Sequence, residues 1–349
     1  MVLTTAFRRA VTTSVVTAVI SLGYGLTALA QAVTLNGAGA TFPKPLYDRY
    51  IAEFTKKNPA LKVNYEGIGS GGGIKQLTEG TVDFAGSDAA MTDAEIAKVS
   101  KGVVFVPTAG GAVAVVYNLP GVSNLKLSRS VLPAIFMGTI TRWNDPKIKA
   151  DNPNANLPNK PIRLVVRSDS SGTSFIFANH LSAVDANFKS QIGANKAPTW
   201  KGNPLSGKGN PGVAALVQQT EGSIGYVESS FAKQGNLSTA VVQNKAGLFV
   251  APSVAEANKA LSKVKFQSDM RVDFAESTFA DPAEGYPITG LTWLMFNKSY
   301  EPAKAEAVKK LVQWMLTDGQ AINGTLEYTQ VPQSARTSAI AAISGIASK

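Results

Sequence analysis

Apolar residues recur along this chain with two different periods. Short apolar runs, typical of β-strands, alternate with longer segments in which apolar residues return every three or four positions, as in amphipathic helices. The predicted strands are Val33–Leu35, Val63–Tyr65, Val103–Val106, Ala112–Asn118, Ile162–Val166 and Thr289–Phe296. One predicted helical face carries Leu46, Tyr47, Tyr50, Ile51 and Phe54, and another carries Ala307, Val308, Leu311, Val312, Met315 and Leu316. This alternation predicts an α/β fold.

Two stretches of the pattern suit a chain that leaves one domain and later returns to it. Ala109 to Asn118 places a Gly-Gly pair before a long apolar strand, and Tyr286-Pro287-Ile288 opens another. We therefore predict two lobes joined by paired hinge strands. Residues 31–112 and 285–349 would form lobe I, and residues 113–284 would form lobe II. Asp145 to Lys160 is rich in Pro and Asn and is predicted to be a surface loop.

The first thirty residues have a pattern of their own. Arg8 and Arg9 precede a mostly apolar, uncharged run from Ala10 to Leu26, and Ala28-Leu29-Ala30 follows as an A-x-A signature. This order is typical of a secretory signal peptide, so residues 1–30 are expected to be cleaved off before Gln31. An uncleaved anchor is the alternative, but Thr, Ser and Gly residues dilute the apolar run. The mature chain is expected to be free in a periplasm.

Composition excludes several classes of function. The chain has no cysteine, which excludes disulfides, thiol catalysis, thiolate metal sites and lipid attachment at a cysteine. Its formal charge is +10, but the basic residues are dispersed, and export argues against a nucleic-acid target. Two interpretations of the charge stay open: a diffuse field that attracts small anions, and an ordinary basic secreted protein.

Three predicted strands lead into loops of small and hydroxyl residues that are followed by helices. The loops are Asn36–Phe42, Gly67–Gly73 and Arg167–Thr173, with helices expected from about Pro43, Ile74 and Ser174. Backbone N–H groups at a helix start favour anions, and Thr41, Ser70, Ser171 and Thr173 add hydroxyl donors. Arg167 adds a charged fork that matches an oxyanion. One such loop is usually a plain helix cap, but three with an arginine predict a ligand site.

Asp88 follows the strand-like run 82–87 and places an acid near these donors. A carboxylate accepts a hydrogen bond from a ligand O–H and repels a bare oxyanion. Phosphate keeps at least one proton near neutral pH, whereas sulfate keeps none. The residues alone leave two roles equally open for Asp88: recognition of a ligand proton, and a plain N-cap or turn position before Met91-Thr92-Asp93.

Enzymatic alternatives find little support in the motifs. Gly202–Gly209 lacks the Ser or Thr of a P-loop and follows no apolar strand, so it is predicted to be a loop. A serine hydrolase or phosphatase needs a base, but His180, the sole histidine, is predicted to face solvent on a helix. Ser70 also lacks the G-x-S-x-G frame. We expect a binding protein with no cofactor and no metal site.

At the level of motifs the chain resembles the periplasmic phosphate-binding proteins of phosphate-specific ABC importers. The matching segments, in the family's order, are 37–43, 65–72, 82–88, 167–175, 207–210 and 224–228. Two departures lie outside the matched ligand positions: Val166, where the best-known relative has a basic residue, and Ser170, where the family often has glycine. The matches cover most of the mature chain and together are highly specific.

The resemblance implies a type II two-lobed fold, in which each lobe is a mixed sheet flanked by helices and the ligand lies in the cleft. It implies phosphate contacts from Thr41, Phe42, Ser70, Asp88, Arg167, Ser171, Gly172 and Thr173, with Asp169 holding Arg167. It also implies delivery of phosphate to an inner-membrane ABC permease of two membrane subunits and an ATPase subunit. A monomer is the default expectation, and no nucleic-acid partner is expected. Alternatives are a secreted phosphate scavenger, a receptor for sulfate or molybdate, and, least supported, a secreted phosphatase.

Overall fold

The computed structural model describes residues 32–349, so the predicted signal peptide at 1–30 lies outside the described residues. The strands are β1 Val33–Gly39, β2 Leu61–Gly67, β3 Phe84–Ser87, β4 Val103–Tyr117, β5 Lys126–Leu127, β6 Arg163–Arg167, β7 Leu205–Gly207, β8 Ser223–Glu228, β9 Ser238–Thr239, β10 Val241–Gln243, β11 Phe249–Val250, β12 Thr289–Asn297, β13 Ser299–Tyr300 and β14 Ala347–Ser348.

The larger helices alternate with these strands, as the periodicity predicted. The helices are α1 Lys44–Lys57, α2 Ser70–Glu79, α3 Asp93–Ile96, α4 Val131–Phe136, α5 Pro146–Asp151, α6 Gly172–Val184, α7 Ala186–Gln191, α8 Gly209–Gln219, α9 Ser229–Gln234, α10 Val254–Leu261, α11 Ser277–Ala280, α12 Pro302–Leu316, α13 Gln320–Asn323 and α14 Gln333–Ser344, with a 3-10 turn at Gly324–Leu326. None of these described helices has the length and hydrophobicity needed to cross a membrane.

A mixed sheet runs through the centre of residues 32–349. Its strand order is β2-β1-β3-β12-β4-β8-β6-β7, and β9 also pairs with β4. At one end β1 pairs in parallel with β2 and β3, and at the other end β6 pairs in parallel with β7 and β8. Antiparallel β12 and β4 lie between these two ends. Helices flank the sheet, so the architecture is mixed α/β.

Strand β4 belongs to both ends of the sheet. Its residues 103–112 pair with β12, and its residues 113–117 pair with β8. The prediction of two separate strands here is wrong, because β4 continues through Pro107. The register with β12 skips Thr108, and such a bulge accommodates a proline that a regular ladder would reject.

The predicted helical faces form much of the core. On α1, Leu46, Tyr47, Tyr50 and Phe54 are buried, while Ile51 is half-buried and packs against the same cluster. All six predicted positions of α12 are buried. Full burial of one large apolar side chain contributes about 1.5–3 kcal/mol, so these two faces attach both helices firmly to the sheet.

Two helix starts differ from prediction in a way that matters for the site. Helix α2 begins at Ser70 rather than near Ile74, and α6 begins at Gly172 rather than at Ser174. The run of glycines after Ser70 has poor helix propensity, which favoured a loop. Glycine is needed there because a Cβ on Gly73 would lie 2.6 Å from the carbonyl oxygen of Ala38 on β1.

The predicted surface loop from Asp145 to Lys160 contains a helix, so that prediction is wrong in part. Pro146 occupies the first turn of α5, and the Asp145 side chain caps it by accepting a hydrogen bond from the Lys147 amide. Proline and aspartate, taken as loop signals, here start a helix.

His180 is buried, not exposed as predicted. Helix α6 is apolar on most sides, and His180 lies under the segment around α11, with its Nδ1 atom 2.9 Å from the Ala280 carbonyl oxygen. Burial lowers the pKa of His180 to about 4, so the ring is neutral at physiological pH. Its contact with a backbone carbonyl gives it a structural role.

Candidate anion-binding site

Four strand-to-helix connections meet at one edge of the central sheet. They are the loop after β1 and the starts of α2, α6 and α8, which follow β2, β6 and β7. The predicted residues in these connections, and Asp88 after β3, are all buried or nearly so: Thr41, Phe42, Ser70, Asp88, Arg167, Ser171 and Thr173. The structure thus brings together side chains that are far apart in the chain.

The starts of α2 and α6 touch each other. Ser70 Oγ accepts hydrogen bonds from the amide of Asp88 at 3.2 Å and from that of Gly172 at 3.1 Å. The Gly71 amide donates to the Ser170 carbonyl at 2.9 Å. A Cβ on Gly172 would lie 2.5 Å from Ser70 Oγ and 2.6 Å from Asp88 Oδ2. Only glycine permits so close an approach.

Arg167 ends β6 and is held in place by Asp169. Its Nε and Nη2 atoms donate to the two carboxylate oxygens at 2.8 and 2.5 Å. Asp169 also accepts from the Gly209 amide at 2.9 Å. Burial opposes ionisation of Asp169, but the hydrogen bonds and charge of Arg167 outweigh it and lower its pKa. Arg167 Nη1 is buried and has no hydrogen-bond partner within residues 32–349. Its N–H groups are therefore left to donate to a ligand.

Asp88 is buried with one carboxyl oxygen occupied and one unpaired. Its Oδ1 accepts from Thr292 Oγ1 at 2.8 Å, whereas Oδ2 has no hydrogen-bond partner in the described part of the chain. Burial raises the pKa of Asp88 to about 7, although the Thr292 hydrogen bond and the charge of Arg167 favour the ionised form. The N-cap alternative is wrong, because Thr92 rather than Asp88 caps α3, whereas Asp88 lies in the bend that follows β3.

Thr292 lies beside Asp88 because of the antiparallel β3–β12 ladder. Trp293 pairs with Ser87 in that ladder, so the next residues along the two strands are Thr292 and Asp88. Asp88 and Thr292 are far apart in sequence and no local signal links them, so this partner was not predicted.

Sequence reasoning also missed Asn210, in the first turn of α8. Its backbone N and its Nδ2 both donate to Thr41 Oγ1 at 3.0 Å, and Nδ2 donates to Thr173 Oγ1 at 3.1 Å. The prediction that Gly202–Gly209 is a plain loop is wrong, because β7 and the start of α8 make it a fourth strand–loop–helix unit. The available signal was the match of 207–210 to the family motif.

Ser171 and Phe42 are held by contacts behind the site. Ser171 caps α6, where its Oγ accepts from the Ser174 amide at 3.0 Å. The Phe42 carbonyl accepts from Tyr328 Oη at 2.7 Å, and the same phenol lies 2.9 Å from Glu228 Oε2. Burial raises the pKa of Glu228 to about 8, which favours its protonated form. A protonated Glu228 can donate to the phenol oxygen while the phenol donates to the Phe42 carbonyl.

Within residues 32–349, the site combines many donors with one buried side-chain acceptor that has no partner. The donors are a guanidinium, hydroxyls and the N–H groups at helix starts, and the acceptor is Asp88 Oδ2. Such a set suits an oxyanion that carries a proton. Among the described residues there is no cluster of His, Asp and Glu that could hold a metal ion.

Sequence comparisons match this chain to proteins that bind phosphate. The family model for the PBP superfamily domain matches residues 26–319. The phosphate-binding protein PstS of Haemophilus influenzae is 40% identical over 316 residues, which cover 89% of this chain and 92% of that protein. The PstS of Methanocaldococcus jannaschii is 37% identical over 309 residues, which cover 82% and 79% of the two chains.

Solved structures of similar fold include two phosphate-binding proteins. The periplasmic protein PfluDING, bound with phosphate, has a TM-score of 0.75 at 21% identity and covers 88% of this chain and 93% of its own. The phosphate-binding protein of Stenotrophomonas maltophilia has a TM-score of 0.71 at 20% identity, with coverages of 89% and 94%. These matches confirm the predicted periplasmic-binding fold.

Proposed function

Because the chain belongs to the PstS family of phosphate-binding proteins, within the PBP superfamily, we propose that it binds inorganic phosphate and delivers it to an ABC-type importer. The observation that carries the proposal is that Asp88 Oδ2, an acceptor, is buried without a hydrogen-bond partner in residues 32–349 and lies in a site otherwise made of donors. Phosphate brings the proton that this oxygen needs, and its other oxygens accept from the surrounding N–H and O–H groups. Sulfate and molybdate have no proton to offer, which disfavours a receptor for those anions.

The residues that we propose to contact phosphate come from both ends of the sheet. They are Thr41, Phe42, Ser70, Asp88, Arg167, Ser171, Gly172 and Thr173, with Asp169 positioning Arg167. In support, Arg167 Nη1 and Asp88 Oδ2 are both buried without protein partners in residues 32–349, and the cost of burying them unpaired is recovered when a ligand pairs with them.

We propose a monomer that is exported through cleavage of residues 1–30 and works in the periplasm, with a permease of two membrane subunits and an ATPase subunit as its partner. A secreted phosphate scavenger without a permease shares the same site chemistry. A phosphatase is disfavoured, because His180 is buried with its ring nitrogen against a backbone carbonyl. It is therefore not placed to act as a general base for a hydroxyl nucleophile.

Calorimetry tests directly which anion the protein binds. Protein of residues 31–349, freed of bound phosphate by unfolding and refolding, is titrated with phosphate, arsenate and sulfate. Phosphate and arsenate are expected to bind one to one, since both are protonated tetrahedral anions. Sulfate is expected to bind at least about a thousandfold more weakly, because a missing buried hydrogen bond and a like-charge contact cost several kcal/mol. Equal binding of sulfate and phosphate, or no binding of phosphate, would contradict the proposal.

We also propose that the two lobes, residues 31–112 with 285–349 and residues 113–284, close on the ligand. Supporting this division, β4 changes partner between Ala112 and Val113. The proposed ligand residues divide at the same point, so phosphate can stabilise only a closed state. Small-angle X-ray scattering is expected to show a smaller radius of gyration with phosphate than without it. The Arg167→Ala variant at the same phosphate concentration is the control, and an unchanged radius for the wild type argues against closure.

A further inference from the structure

Asn210 links two hydroxyl groups that belong to different ends of the sheet. Thr41 follows β1, Thr173 lies in the first turn of α6, and the fully buried Asn210 side chain contacts both. We infer that Asn210 is a positioning residue that fixes the direction of these two hydroxyl protons. The inference deepens the proposed function and rests on it.

The hydrogen-bonding capacity of a hydroxyl group limits what each threonine can offer a ligand. A threonine hydroxyl has one proton to donate and two lone pairs that accept. Both lone pairs of Thr41 Oγ1 are engaged, one by the Asn210 backbone amide and one by its side-chain amide, each at 3.0 Å. Its proton is therefore the one group that Thr41 can still offer. Thr173 Oγ1 accepts from the same side chain at 3.1 Å, which turns its proton away from Asn210 as well.

The orientation of the Asn210 amide is itself determined by a backbone contact. Its Oδ1 accepts from the Glu228 amide at 2.9 Å. A flipped amide would set an NH₂ group against that N–H donor and an oxygen against the two hydroxyls. The Glu228 contact thus holds Nδ2 toward Thr41 and Thr173.

The Ser70 hydroxyl is also left with only its proton to offer, but backbone amides rather than Asn210 occupy its lone pairs. Its Oγ accepts from the amides of Asp88 and Gly172, so it too has only its proton left to donate. Thr41 and Ser70 are thus restricted to donation and one lone pair of Thr173 is engaged, so the unpaired Asp88 Oδ2 is the acceptor that we assign to a ligand O–H. Asn210 thereby contributes to recognition of the ligand's protonation state without being a proposed contact of the ligand.

A double-mutant cycle tests whether Asn210 acts through the two threonines. Asn210→Ala is made in the wild type and in a Thr41→Val, Thr173→Val background, and phosphate Kd is measured by calorimetry. In the wild type we expect about a 10- to 100-fold weakening, the effect of two misdirected hydrogen bonds. In the valine background we expect about a twofold change or less, because the hydroxyls on which Asn210 acts are gone. An equal loss in both backgrounds would overturn the inference, since that is the result of a residue that only anchors α8 to β8.

Two further proteins keep the outcome interpretable. Asn152→Ala removes another buried asparagine, whose side chain bonds to backbone groups of Lys126 and Ile148, and it should lower Tm and leave phosphate Kd unchanged. If Asn210→Ala does not fold, Asn210→Asp retains the acceptor for the Glu228 amide and loses the donor, and the same cycle is run with it. A wild type that binds no phosphate refutes the proposed function, whereas a binding wild type with additive losses refutes only the role of Asn210.

Discussion

Replacing Arg167 with alanine is expected to weaken phosphate binding by at least about thirtyfold. Removing one partner of a desolvated charge pair costs about 2–5 kcal/mol. The substitution also leaves Asp169 without its bidentate partner, close to the bound anion. A Cβ on Gly69 would lie only 2.3 Å from Asp169 Oδ2, which shows how tightly that carboxylate is enclosed. Isothermal titration with phosphate measures the loss.

Arg129 provides the matched control for this variant. It also forms a bidentate pair with a carboxylate, Asp281, and belongs to none of the four connections at the site. Arg129→Ala should reduce stability and leave phosphate Kd unchanged. Arg167→Lys keeps the charge without the planar fork and should bind with intermediate affinity. If Arg167→Ala retains wild-type affinity for phosphate, the assignment of the ligand site to these residues is wrong.

Replacing Asp88 with asparagine is expected to change selectivity more than affinity. The amide oxygen still accepts the phosphate proton, so phosphate should still bind. The like-charge repulsion of sulfate is lost, so most of the roughly thousandfold discrimination should disappear. Competition of sulfate against labelled phosphate measures this in both proteins. Asp83→Asn is the control, because Asp83 bonds to Asn36 and Lys304 and is not a proposed ligand contact.

The raised pKa of Asp88 adds a pH dependence to this selectivity. With its pKa raised to about 7 by burial, Asp88 is increasingly protonated below pH 7, and a protonated carboxyl can donate to sulfate. Above pH 7 the carboxylate dominates, while phosphate still carries one proton. Discrimination against sulfate should therefore increase as pH rises through about 7, and Asp88→Asn should lose this slope. A wild type whose selectivity does not change with pH would contradict the proposed role of Asp88.

Those elements that the sequence predicted well share a strong local signal. Strands β6 and β12 contain apolar runs, β1 and β2 begin with alternating apolar and polar residues, and the loops that follow β1, β2 and β6 carry glycine and hydroxyl residues. Because parallel strands deliver their carboxyl ends to one edge, local patterns sufficed to predict that these loops meet. The same patterns placed the buried faces of α1 and α12.

The parts that escaped prediction depend on distant partners. Strand β7 is a three-residue edge strand in which Leu205 is partly exposed, so no apolar run identified it or the helix that begins at Gly209. Asn210 and Thr292 matter because of Thr41, Thr173 and Asp88, which are remote in sequence. The burial of His180 likewise depends on a segment a hundred residues later. A single sequence contains no local signal for such pairings.

The continuity of β4 also bears on how the chain loses its structure. One portion of β4 pairs with β12 and the other pairs with β8, and the strand is buried along nearly its whole length. Unfolding of either end of the sheet would therefore break hydrogen bonds of this buried strand. We therefore expect the two ends to unfold together in one cooperative transition. A ligand bound at one edge therefore protects the whole described chain against denaturation, since its binding free energy is added to that single transition.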